Sequence, residues 1–304
     1  MSGSAVPHRT GFVSIAGRPN AGKSTLLNAL IGEKLAITAR QAQTTRTSVQ
    51  GALTTPEAQI IFVDTPGIHK SDTLFNKRMM ETVRSALQER DLVLFVADAT
   101  KPITEEDRHA IGVLKGGANA LLVLNKIDRL ADKRLVLPLI AEYSDLHQFL
   151  EAVPVSASKK DGLDELRRVI VKYLPEGQPL FPEDYLTDQP IRFLAAEIIR
   201  EKILRIAHHE VPHAVAVTID QWQEKPRLTR ISATIHVERP GQKSILIGTR
   251  GEVMKKVGTE AREELERMAG TKIFLELFVK VKKNWREDPA FLNSIDWRAM
   301  VGSK

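Results

Sequence analysis

The sequence predicts two successive domains: an α/β fold, with a mostly parallel sheet covered by helices on both faces, and then a smaller α+β unit. Three observations predict it. From Gly11 to about Leu174, short apolar runs alternate with longer helical stretches, as a parallel sheet with crossover helices requires. Residues 174–190, LPEGQPLFPEDYLTDQP, are rich in proline and acid and lack periodicity, which marks a connector. Beyond them the order of elements changes. A length of 304 residues also suits two domains at roughly 150 residues each.

Taken in order, the strands of the first domain are FVSIAG at 12–17, IIFVD at 60–64, LVLFVAD at 92–98, ALLVLNK at 120–126 and AVPVSA at 152–157. Residues 47–64 depart from the alternation. Two strand-like runs flank Thr55, Pro56 and Glu57, which predicts an antiparallel hairpin at one edge. After the connector come a helix over about 190–207, strands near 213–221 and 228–238, and a short helix at 242–247. GTRG follows, then a charged helix at 251–269 and a strand at 271–281. The chain divides into a first domain over 1–174, a linker over 175–190, a second domain over 191–284 and a tail over 285–304.

Composition narrows the classes of function. No apolar run approaches the roughly 20 residues that span a bilayer, and the N-terminus has no apolar core, so no signal peptide is expected. There is no cysteine, which excludes disulfides, thiolate metal sites and cysteine nucleophiles and suits a reducing cytoplasm. The net charge is +6. Residues 1–189 hold 23 basic and 23 acidic side chains, whereas 190–304 hold 21 and 15. The excess positive charge therefore lies wholly in the C-terminal part. It suits a polyanion there, either nucleic acid or an anionic membrane surface, or is a solvated face.

Gly17-Arg18-Pro19-Asn20-Ala21-Gly22-Lys23-Ser24 matches G-x-x-x-x-G-K-S between a strand and a helix. Glycines there let backbone N–H groups wrap phosphates, Lys23 places charge on the β- and γ-phosphates, and Ser24 offers its hydroxyl to Mg²⁺. The base is chosen by Asn125-Lys126-Ile127-Asp128 at a strand end. Asp128 accepts from guanine N1–H and N2–H₂; adenine offers no such pair. Asn125 and Lys126 brace the loop, and Ser156 or Ala157 offers a backbone N–H to guanine O6. Asp64-Thr65-Pro66-Gly67 ends another strand. Asp64 reaches Mg²⁺ through water and the Gly67 N–H reaches the γ-phosphate. Gln43-Thr44-Thr45-Arg46 holds the remaining Mg²⁺ ligand, Thr44 or Thr45, with Thr45 favoured. Loops held by a γ-phosphate and released on hydrolysis make a switch. Ile68 follows the glycine where Ras-like enzymes place a water-positioning Gln, so GTP hydrolysis is expected to be slow.

In the second domain, Ile247-Gly248-Thr249-Arg250-Gly251 lies between two helices, with Lys255 and Lys256 behind it. A glycine loop in this setting lets the backbone approach an RNA phosphodiester and clamp about four nucleotides. Lys280, Lys282, Lys283 and Arg286 either contact phosphates or form a solvated edge. The eight histidines are scattered; His208 and His209 end a helix and have no spaced partner for a metal.

GRPNAGKS, QTTRT, DTPG, NKID and VSA appear in this order over 12–157, and the series resembles the Era family of bacterial GTPases. FPEDY at 181–185, EIIREK at 197–202 and VKVK at 279–282 extend the resemblance over roughly 12–300. It implies a P-loop GTPase domain joined to a type II KH domain, with GTP or GDP and Mg²⁺ as ligands. It implies binding to 16S rRNA near its 3′ end and a part in assembly of the 30S ribosomal subunit. It also makes Asn20 a candidate ligand for an activating K⁺, or else only a shaper of the loop. A monomer is expected, without DNA, and a peripheral membrane contact has been attached to the family. Competing readings are an RNA-binding module that hydrolysis merely resets, a membrane-surface GTPase, and a tRNA-modification GTPase. The last is disfavoured by the missing C-terminal cysteine.

Overall fold

The computed structural model describes residues 7–39, 44–68, 73–88, 90–114, 119–206 and 215–297. Gln43, His208, His209 and the tail from 298 onward lie outside them. The chain forms two compact units.

The first unit is a six-stranded sheet. Its strands are β1 (Arg9–Ala16), β2 (Val49–Thr54), β3 (Ala58–Asp64), β4 (Leu92–Asp98), β5 (Ala120–Asn125) and β6 (Ala152–Pro154). They lie in the order β2-β3-β1-β4-β5-β6, and only β2 runs antiparallel. The hairpin expected around Thr55 is the β2–β3 pair at one edge. β3, β4 and β5 are buried along their whole length, which accounts for their unbroken apolar runs. Helices α1 (Lys23–Ile31) and α5 (Leu163–Tyr173) pack on one face through Leu26, Leu27, Leu166 and Ile170. Helices α2 (Leu74–Gln88), α3 (Glu105–Val113) and α4 (Val136–Leu146) supply Val83, Ala110, Ile111 and Leu139 to the other. The glycine loop, Asp64 and Asn125 lie where β1, β3 and β5 end, the edge at which open α/β sheets bind ligands.

The proline-rich connector is ordered along the edge strand β2 and its neighbour. The Ala52 N–H donates to the Leu186 carbonyl (2.9 Å) and the Thr187 hydroxyl to the Gln50 carbonyl (2.6 Å). Buried Gln59 accepts from the N–H groups of Leu180 and Phe181 and donates to the Phe181 carbonyl. The Phe181 and Tyr185 rings stack at 4.2 Å. The connector thus satisfies backbone groups that an edge strand would leave open.

The second unit holds Ile37–Thr44, Thr73–Phe75 and Gln189–Lys304. Its sheet has the order β7-β8-β9, from β7 (Ala216–Lys225), β8 (Leu228–Val237) and β9 (Lys272–Val281). β7 and β8 are antiparallel; β8 and β9 are parallel. Helices α6 (Ile191–Ile206) and α8 (Glu252–Ala269) cover one face through Ile199, Ile203, Val257, Ala261 and Leu265. Between β8 and α8 lies α7 (Pro240–Ile247). Helix α9 (Pro289–Ile295) follows, capped by Asp288 and opened by Pro289. Trp285 is fully buried against Phe75 and Phe291, so this part of the expected tail is packed. No helix among the described residues is long and apolar enough to cross a membrane.

Candidate functional site

β1 delivers the chain to the loop 17–22, and α1 begins at Lys23. The loop turns where only glycine fits. At Gly17 (φ 137°) a Cβ would lie 2.3 Å from the Val96 carbonyl oxygen, and at Gly22 (φ 98°) 2.3 Å from Asn125 Nδ2. Lys23 is buried, and its ammonium donates to the carbonyls of Gly17 (3.1 Å) and Arg18 (3.0 Å). Burial lowers its pKa to about 8, a shift that the negative charge of Asp64 opposes and the positive charge of Arg18 reinforces. A desolvated ammonium among neutral carbonyls, beside N–H groups at a helix start, has the chemistry that could receive a polyphosphate.

Three oxygens converge beside it. Ser24 Oγ lies 2.7 Å from both Thr45 Oγ1 and Asp64 Oδ2, and Thr45 donates to the same Oδ2 at 3.1 Å. Asp64 is fully buried, burial raises its pKa despite Lys23, and its Oδ1 has no hydrogen-bond partner among the described residues. Hydroxyl and carboxylate oxygens around an unsatisfied buried anion are the donor set a hard divalent cation takes, so these residues could hold Mg²⁺. The neighbouring Thr44 accepts at its backbone carbonyl from Arg200 of α6. Gly67 closes on the loop, where a Cβ would meet Pro19 at 2.9 Å. The Thr65 hydroxyl donates to the Ile15 carbonyl, and Pro66 is buried. Ile68 donates its N–H to the Gly17 carbonyl (3.2 Å), while its side chain is buried with Val83 and Phe95 in the core.

At the base end, Asn125 is committed to the protein. Its Nδ2 donates to the Ala21 carbonyl (3.0 Å), and its Oδ1 accepts from the N–H groups of Lys126 and Ala157. It joins the phosphate loop to the β6–α5 loop. The Ser156 N–H donates to the Asp161 carbonyl (2.9 Å). Both N–H groups that the sequence offered to guanine O6 also make hydrogen bonds within the protein. The Ser156 hydroxyl donates to Asp128 Oδ1 (2.6 Å), which fixes an exposed carboxylate at the mouth of the site. Ile127 packs beneath.

Sequence reasoning missed Asp98 and Asp107. Lys126, in a left-handed conformation (φ 70°), donates to Asp98 Oδ2 and to the Asn20 carbonyl, each at 2.6 Å. Burial opposes charge on Asp98, but hydrogen bonds from Lys126 and Thr100 prevail and lower its pKa. Buried Arg18 lies 2.9 Å from Asp107 and 3.9 Å from Asp98. The Arg18 side chain thus faces these carboxylates and leaves only its backbone to the phosphate loop. Asp98 ends β4 at the carboxyl edge of the sheet, which was the available signal.

In the second unit, α7 ends in Gly248 (φ 72°), where a Cβ would meet Val253 at 2.5 Å. Arg250 (φ 56°) and Gly251 (φ 81°) are left-handed as well. Thr249, Arg250, Lys255 and Lys256 are exposed, as is the Ile247 side chain beside them. Two of the basic residues near the end of β9 have acidic partners: Lys282 with Asp288 (2.8 Å) and Arg286 with Glu238 (2.6 Å).

A fold that buries a lysine behind a glycine-rich loop between a strand and a helix, with NKID at the end of β5, is that of a P-loop GTPase; the GTRG unit adds a KH domain to the same chain. Residues 12–126 match the 50S ribosome-binding GTPase family and residues 210–286 match the KH domain. GTPase Era of Geobacter metallireducens is 50% identical over 294 residues, covering 96% of this chain and 98% of that protein. GTPase Era of Syntrophus aciditrophicus is 47% identical over 298 residues, 97% of each. A crystal structure of Era in complex with MgGDPNP and nucleotides 1506–1542 of 16S ribosomal RNA matches with a TM-score of 0.93 at 42% identity, over 95% of this chain and 99% of that one. A variant of Aquifex aeolicus Era bound to GDP·AlF4⁻ matches with a TM-score of 0.92 at 42% identity, with the same coverage. The chain belongs to the Era family of GTPases.

Proposed function

We propose that the chain binds GTP with Mg²⁺ and, in that state, grips 16S rRNA near its 3′ end through the GTRG loop during assembly of the 30S subunit. The observation that carries this is the 42% identical relative that holds both MgGDPNP and nucleotides 1506–1542 of that RNA. Lys23 neutralises the β- and γ-phosphates, and Ser24 and Thr45 ligate Mg²⁺, with Asp64 acting through water. The Gly67 N–H meets the γ-phosphate, and Asp128 accepts from guanine. Mg²⁺ bridges the β- and γ-phosphates and offsets charge that develops between them. Lys255 and Lys256 meet RNA phosphates beside the loop.

Hydrolysis is slow because Ile68 lies in the core and offers nothing to orient water. A K⁺ held near Asn20 supplies part of the missing charge. Hydrolysis is expected to run faster in K⁺ than in Na⁺, and Asn20→Ala to remove the difference; equal rates in both salts would refute the cation. Thr45, beside Ser24 and Asp64, directly follows Thr44, which Arg200 of the KH unit holds by its carbonyl.

Crosslinking the protein to total RNA with GTP or GDP bound, followed by sequencing, tests the whole reading. Enrichment of the 16S 3′ end with GTP alone is expected. Equal recovery in both states, or recovery of unrelated RNA, would defeat it.

A further inference from the structure

The KH unit has a second face that the GTRG loop does not use. α6 and α8 cover one side of the sheet; on the other, β9 presents Phe274 and Phe278 at 45% and 49% exposure. They are four residues apart on one strand, so their rings project from the same face about 13 Å apart. Arg230, opposite Phe274 across the β8–β9 ladder, holds its guanidinium 5.4 Å from that ring's centre. Thr234 lies opposite Phe278, and Lys280 is exposed two residues further on.

We propose that this open sheet face is a second contact for single-stranded RNA, separate from the GTRG clamp. Bases stack on Phe278 and on the Arg230–Phe274 pair, and Lys280 and Arg230 meet the phosphates. The chemistry favours nucleic acid over a bilayer or an apolar protein. Stacking needs separate aromatic planes with cations beside them, here Arg230 next to Phe274 and Lys280 beyond Phe278. Membrane or protein docking needs a contiguous apolar area, and here Glu276 lies between the two rings. The excess positive charge of this part of the chain suits a polyanion. The proposal rests on the reading of this unit as an RNA binder.

Two unstructured oligoribonucleotides separate the two contacts. One of about four nucleotides fills only the GTRG clamp; one of about twelve spans further surface, on the scale of single-strand sites. In the full chain, Phe274→Ala combined with Phe278→Ala should weaken the longer RNA by about tenfold or more. Binding of the shorter one should not change. Phe278→Tyr should retain most of the affinity and Phe278→Leu should not, because leucine keeps apolar area and lacks a ring. Unchanged affinity of the double variant for the longer RNA overturns the proposal. So does an equal loss for both RNAs, or a gain of anionic-vesicle binding that leucine preserves. Failure of the wild type to bind either RNA would instead remove the underlying RNA reading.

Discussion

The nucleotide site is buried and held from many directions, whereas the GTRG loop is exposed and held mainly by its own backbone. Lys23, Asp64, Asn125 and Asp98 are all buried, and the last three each touch residues distant in sequence. Thr249 and Arg250 stand in solvent, in a loop where Gly248, Arg250 and Gly251 have positive φ. The difference follows from the ligand. A mononucleotide is small enough to enclose, so selectivity comes from desolvated, pre-positioned charge. A polymer must slide across a surface, so the loop offers close backbone approach and mobile cations. Damage should therefore spread in the first region and stay local in the second.

The largest effect is expected at the base. Asp128→Ala removes a charged acceptor of two hydrogen bonds and should weaken GDP by about a thousandfold, read by displacement of a fluorescent guanine nucleotide. RNA affinity of the nucleotide-free protein should stay within twofold, about the noise of such an assay. Next, Gly251→Asp places a negative charge and a disfavoured side chain on a φ of 81°. It should lower RNA affinity about a hundredfold and leave GDP binding intact; a matching fall in GDP affinity would erase the contrast between the regions.

Asp98→Asn should cost about tenfold in GDP affinity, because Lys126 loses its charged anchor while Asp128 stays in place. Preference for guanine over adenine should survive. If preference collapsed, Asp98 would be shaping the base site rather than bracing Lys126. The smallest effect is a proton linkage. The nucleotide-free pKa of Lys23 is about 8, and a bound polyphosphate raises it. GDP affinity should be full below that pH and decline as pH rises through it, with proton uptake on binding near pH 9. Calorimetry in buffers of different ionisation heat reads this directly.

Much of the site was legible because it is local. The glycine spacing of 17–22, the hydroxyl at Ser24 and the strand-end position of Asp128 each depend on a few neighbouring residues. The Asp98–Lys126 anchor was not legible: the strand-end position of Asp98 marks it as near the site, but its partner is 28 positions away and nothing in the sequence names it. Ile68 was legible in part. The sequence showed that it cannot orient water, but only packing showed the side chain in the core with Val83 and Phe95.

The sequence by itself determined the order of strands and helices in the first domain, the choice of guanine and the KH order of the second, because periodicity, glycine conformation and motif spacing are short-range. The tertiary structure decided that Thr45 rather than Thr44 meets Ser24 and Asp64, and that Asn125 takes the Ala157 N–H. It also decided that the connector closes the edge at β2. Each of these depends on which of several equivalent donors or acceptors packing brings within hydrogen-bond reach, and that choice is made only when the core closes.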